Sequence, residues 1–139
     1  MTEVLGSAEN GVGLAAPQIG VPKRIFIVLK SIVGLPKTAG TSEDEKKKKL
    51  EANDVLIFIN PEIIKRSRKT EMLTEGCLSV AGVCGTIRRA RQVTLAALNE
   101  KGEKIIRGAG GLLAQVFQHE CDHLEGRLFV DSAVNLKKP

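Results

Sequence analysis

The sequence predicts an α+β fold in which antiparallel β-sheets pack around a central helix. Two observations carry this. Short apolar runs bounded by Gly, Pro, Asn and charged residues fill the earlier part of the chain, and one strongly helical stretch comes late. Strands first and one dominant helix afterwards point to a helix laid against antiparallel sheet. With 139 residues, 42% of them apolar, residues 1–139 read as a single domain with a modest core.

The elements follow in order. Thr2 to Glu9 reads as the end of a helix, with Val4, Leu5 and Ala8 on one side. The Gly- and Pro-rich GVGLAAPQIGVP (residues 11–22) reads as loop. RIFIVLK (24–30) is a buried strand. Residues 31–54 are polar and charged, without apolar periodicity, and form a long surface loop or a short exposed helix. VLIFI (55–59) is a second strand, which Asn60-Pro61 should stop. Further strands are expected at residues 62–66, 93–98 and 104–107, the last two joined as a hairpin through NEKGE. LLAQVFQHECDHLE (112–125) has helical periodicity and ends at Gly126, which suits the residue just past a helix. RLFV (127–130) adds a short strand.

Composition excludes several functions. There are four Phe, no Trp and no Tyr, so the stacking aromatics of a single-strand nucleic-acid groove are missing, and no direct nucleic-acid binding is expected. Much of the net charge of +5 lies in Lys46 to Lys49, read as a solvated face. No apolar run is long enough to span a membrane, and the first residues lack a signal peptide's basic and apolar regions. Cys77, Cys84 and Cys121 make an odd count without a disulfide framework. The expectation is a cytoplasmic protein with free thiols, without membrane contact.

The chemistry concentrates in FQHECDHLEG, residues 117–126, which holds both histidines of the chain. At roughly 100° per residue, His119 and His123 fall about 40° apart around a helix, so both rings can reach one ion from consecutive turns. Glu120 projects beside them, which is the H-E-x-x-H arrangement of metal hydrolases. Cys121 faces the other way and reads as a packed thiol, while Leu112 and Val116 lie on the histidine side. Solvated histidines on a surface helix would fit poorly with the apolar flanks, because a buried polar cluster needs partners.

A hydrolytic site needs a third protein ligand and an open position. Downstream, Phe129 stands where a third histidine would serve some proteases, and Asp131 is the only later carboxylate. No histidine lies upstream, so a cysteine is the natural ligand. Cys77, in TEGCLSV, and Cys84, in GVCG, both remain open on spacing alone.

Three stretches together resemble the peptide deformylase family. They are Gly11-Val12-Gly13-Leu14-Ala15-Ala16-Pro17-Gln18, Glu75-Gly76-Cys77-Leu78-Ser79 and Gln118-His119-Glu120-Cys121-Asp122-His123, in the family's order. The resemblance implies that Cys77, His119 and His123 are the metal ligands and that Glu120 is the general acid/base. It also makes the Gln18 side-chain amide and the Leu78 backbone N–H the oxyanion donors. The implied metal is iron(II), replaceable by nickel, cobalt or zinc. The implied substrates are the N-formylmethionyl ends of nascent chains, and the products are formate and a free amino terminus. Val12, Gly13, Leu112 and Val116 are then expected on the substrate side. An organelle is as compatible with this reaction as a bacterial cytosol.

The sequence also departs from the family. A strand and about a helix usually precede the glycine segment. The chain ends at Pro139, where some bacterial members carry a helix that helps ribosome docking, which puts a ribosome contact in doubt. Ala81 stands for a usual proline and Cys84 for a usual basic residue, and the 31–54 stretch is longer than usual. Two rival functions are an inactive metal-binding homologue and a zinc peptidase using Asp131. Retention of Glu120 and Gln18 favours the active enzyme, because a structural metal site needs neither.

Overall fold

The computed structural model describes residues 1–7, 11–33, 54–77 and 79–137. Helix α1 (Thr2–Ser7) precedes strand β1 (Gly13–Ala15), a 3₁₀ turn at Ala16–Ile19 and β2 (Ile25–Leu29). A 3₁₀ turn at Lys30–Ile32 is followed, past residue 53, by β3 (Val55–Arg66), β4 (Thr70–Cys77), β5 (Val80–Ala90), β6 (Val93–Leu98) and β7 (Lys104–Ala109). Helix α2 (Gly111–Leu124), a 3₁₀ turn at Phe129–Asp131 and β8 (Val134–Lys137) come last. One sheet runs β1-β2-β3-β6-β7 and a smaller one β4-β5-β8. Every pairing is antiparallel, as the α+β reading expects.

Aromatic side chains dock the helix. Phe26 of β2 stands opposite Phe58 of β3, with ring centroids 5.1 Å apart. Phe117 of α2 meets both, at 5.9 and 5.0 Å. All three are fully buried, and such ring pairs each add about 0.5–1.5 kcal/mol beyond their area. Leu113, Ala114 and Val116 of the same helix join that core. Phe117 thereby sets the rotation of α2, and the histidines two and six residues on inherit it. The helix ends as expected. Gly126 takes φ 74°, a left-handed value that glycine adopts without strain, and its N–H closes on the His123 carbonyl at 3.0 Å.

Several local expectations are corrected. Asn60-Pro61 does not stop the second strand: β3 runs straight through it, with a bulge between Ile59 and Glu62. Asn60 takes φ 50°, a region asparagine tolerates, and the bulge accommodates a proline that has no N–H to give the ladder. The Gly-rich stretch is not all loop, because Gly13–Ala15 pairs with β2 and is buried throughout. Val4 is 42% exposed while Leu5 is buried, so the two do not share a side, and Ala8 and Glu9 lie outside the described residues. The polar stretch begins with a buried Ile32, and its residues 34–53 lie outside the described residues. RLFV forms no strand. It leads into a 3₁₀ turn that buries Phe129, and the last strand starts at Val134.

Candidate metal centre

Strand β4 and helix α2 bring three donors together. Glu75 and Cys77 are two residues apart on β4, so the pleat turns both side chains to one face. That face looks onto α2. Cys77 Sγ lies 3.2 Å from His123 Nε2, which lies 3.2 Å from His119 Nε2. The ligand atoms of Cys77, His119 and His123 all fall within 4.8 Å of one another. Ligands roughly 2.0–2.3 Å from an ion at tetrahedral angles stand about 3.3–3.7 Å apart, so one thiolate and two imidazoles here are spaced to share a single cation. Cys84 and Asp131 do not join this cluster. Cys84 lies on β5 opposite Gly76, and Asp131 accepts the Leu128 N–H at 2.9 Å. Cys121 is half-buried against the core, where burial pushes its thiol up to about 12.

Glu120 occupies the same pocket but is not one of the three. It is 3% exposed, and its Oε2 is buried with no hydrogen-bond partner among the described residues. Burial lifts its carboxyl, and the pull of His119 and His123 does not offset this, leaving it at about 7. A buried acceptor held open beside three metal-type donors is what a metal hydrolase needs for a proton in transit.

The glycine segment closes over this carboxylate. A methyl group on Gly13 would stand 2.8 Å from Glu120 Oε1 and 3.0 Å from Val116 Cγ1, so only glycine fits there without displacement. The following 3₁₀ turn carries Gln18. The Ala15 N–H donates to its Oε1 at 2.8 Å, which fixes the amide so that its NH₂ faces the cluster. That NH₂ donates to Ser79 Oγ at 2.9 Å and lies 3.6 Å from Cys77 Sγ.

The electrostatics prepare the donors. Burial would raise the Cys77 thiol, but hydrogen bonds from His119, His123 and the Ser79 N–H outweigh it and bring the thiol to about 5, so the thiolate is the resting form. Burial would lower His119, but its contacts with Cys77 and Glu75 outweigh this and raise it to about 10. Burial would also raise Glu75, and bonds from Arg89 and His119 overcome that, keeping it ionised down to about 2.

The structure thus gathers Cys77, His119, His123, Glu120, Gln18, Gly13 and Val116. Leu112 lies one turn before Val116 in the main core, and Val12 is half-buried against that core. Leu78 lies outside the described residues. Sequence reasoning gave no role to Glu75, Arg89, Asp122 or Ser79. Glu75 Oε2 accepts the His119 Nδ1–H at 2.8 Å, and Arg89 bonds both Glu75 and Asp122. Glu75 and Arg89 stood in the sequence as charged residues at inward positions of unrecognised strands. Asp122 lay on the recognised helix and Ser79 in a turn, neither with a partner that spacing could reveal.

Comparison with known proteins agrees with this geometry. The model of the polypeptide deformylase family matches residues 1–139. The peptide deformylase of Carboxydothermus hydrogenoformans is 47% identical over 130 residues, covering 93% of this chain and 70% of that protein. A crystal structure of peptide deformylase from Plasmodium falciparum superposes with a TM-score of 0.79 at 32% identity, covering 97% of this chain and 69% of the other. A class I type b peptide deformylase from Acinetobacter baumannii, solved with Met-Ala-Ser bound, gives 0.70 at 35% identity over 88% of this chain and 70% of that one.

Proposed function

Since this chain belongs to the polypeptide deformylase family, we propose that Cys77, His119 and His123 hold the divalent metal of a hydrolase that removes the formyl group from formylmethionyl peptides. The observation that carries the reading is the three-donor cluster with a Glu120 oxygen beside it that has no partner among the described residues. The mixed thiolate–imidazole set suits iron(II), with nickel, cobalt or zinc as substitutes. When bound, such a metal supplies Lewis acidity that brings the deprotonation of water towards neutral pH.

The residues of the chain do the rest. Glu120 takes the proton of the attacking water and delivers it to the amine nitrogen as the C–N bond breaks, so formate and a free amino terminus leave. The Gln18 NH₂, held towards the site by the Ala15 N–H, donates to the oxygen that becomes negative, and the Leu78 N–H is its proposed companion. Gly13 and Val116 wall the carboxylate and leave little room on that side, which admits a formyl hydrogen and rejects an acetyl methyl. Val12 and Leu112 extend the apolar lining towards the methionine side chain. The three cysteines are free, which fits a reducing compartment such as the cytoplasm. No helix among the described residues is long and apolar enough to cross a membrane.

Metal-loaded protein should deformylate formyl-Met-Ala-Ser, leave acetyl-Met-Ala-Ser intact and cut no internal peptide bond, as read by mass spectrometry. Cleavage inside an unformylated peptide, or no reaction on any of them, would overturn the reading.

Gly13→Ala tests the close approach. The atom it meets is the far end of a side chain, so the fold should survive with little change in Tm while Glu120 is pushed aside. A misplacement of about 1 Å typically costs on the order of 100-fold, and kcat should fall accordingly with metal content unchanged. A variant with the parent's kcat would show that Gly13 does not set the position of Glu120.

A further inference from the structure

We propose that Arg89 is a positioning residue for the metal centre, a two-headed clasp that sets the spacing between the thiolate strand and the histidine helix. The inference rests on the ligand assignment above and concerns what holds those ligands in register.

One head grips Glu75 with two bonds, Nε to Oε1 at 2.7 Å and Nη2 to Oε2 at 2.9 Å. The other reaches α2, where Nη1 meets Asp122 Oδ2 at 2.7 Å. Glu75 Oε2 also receives the His119 Nδ1–H at 2.8 Å. Placing the imidazole proton on Nδ1 leaves the lone pair of Nε2 facing the cluster. A continuous chain of bonds therefore runs from a residue next to the ligand His123, through Arg89 and Glu75, to the ring of His119. Glu75 lies two residues before Cys77 on β4, so the same chain fixes the strand that presents the thiolate.

Burial makes the clasp exacting. Arg89 is 7% and Glu75 6% exposed, so solvent cannot replace a lost bond. The three contacts also need the planar fork of a guanidinium. Lysine keeps the charge but presents one ammonium, which cannot grip a carboxylate bidentately and reach a second carboxylate on another element. A purely structural ion pair would have no reason to end on a ligand ring.

The test uses cobalt(II) as probe, its Kd measured by chelator competition and its site read from the visible spectrum of the loaded protein. Arg89→Lys should weaken cobalt binding by roughly 10- to 100-fold and shift the visible bands. Asp122→Asn, at a more exposed position that perturbs folding less, should move both in the same direction by a smaller factor. If Arg89→Lys does not fold, Asp122→Asn decides by the same criterion. A variant that loses thermal stability but keeps the parent's cobalt Kd within threefold, with an unchanged spectrum, would overturn the clasp and leave an ordinary structural ion pair. Cys77→Ala serves as reference: unaltered cobalt affinity there would overturn the ligand assignment itself, and the clasp with it.

Discussion

Glu120→Ala should keep its fold and its metal and lose at least about 100-fold in kcat on formyl-Met-Ala-Ser. The expectation comes from a contrast within one side chain. Glu120 is almost fully buried, yet its Oε2 satisfies no donor among the described residues. A group that stabilises the fold is normally bonded, and this one is held in reserve. Removing it breaks no resolved bond to Oε2 and takes a costly carboxyl out of the interior, so Tm should change little. The pH profile should report the same group. Burial lifts the carboxyl to about 7, and only its ionised form accepts a proton, so activity should rise with pH on the acid side. A cation alongside favours the carboxylate, which places the acid limb of the metal-loaded protein below 7. Metal content by elemental analysis, Tm and kcat together check the prediction, and activity within tenfold of the parent would remove Glu120 from the mechanism.

Cys77→Ala should lose most of the metal and, with it, the activity. The thiol is the only donor in the cluster that comes from β4, and it already rests as thiolate at about 5. Two imidazoles from one helix leave the ion half-coordinated and open to water. Cys84→Ala and Cys121→Ala should each retain about one metal per chain, because neither thiol joins the cluster. Elemental analysis of the three variants side by side separates the outcomes. Metal retained in Cys77→Ala and lost in Cys84→Ala would move the ligand to the other cysteine.

The histidine helix was legible because its signal is local. His119, Glu120 and His123 lie within one and a half turns, and the apolar periodicity of LLAQVF set the helix around them. The β2 and β3 strands were legible for the same reason, as continuous apolar runs. The β4–β5 hairpin was not. Its inward positions on β4 include Glu71, Glu75 and Cys77, and β5 turns Arg89 inward, so the chemistry occupies the places where apolar alternation would have marked a strand. Gly76, Gly82 and Gly85 weaken strand propensity further, although Gly85 is needed where Leu136 of β8 crosses within 2.6 Å of a would-be Cβ. Strand β1 escaped notice because Gly-Leu-Ala has little intrinsic preference for sheet, and its pairing with β2 is a tertiary fact. Choosing Cys77 over Cys84 likewise required knowing which strand residue faces α2, which spacing alone does not reveal.

The placement of the donors has a consequence for folding. Cys77 and His123 are 46 residues apart, one on the smaller sheet and the other on the helix docked to the larger. An ion shared between them is a cross-link across the seam, closing a long loop much as a disulfide would, but reversibly and under mass action. At a free ion concentration 100 times its Kd, the native state gains about 2.7 kcal/mol over an unfolded chain that does not bind it. For a small domain of ordinary marginal stability that is a large fraction of the total. On the proposed ligand set, the supply of metal would then govern how much of the protein survives proteolysis as well as how fast each molecule works, and scarcity would lower both together.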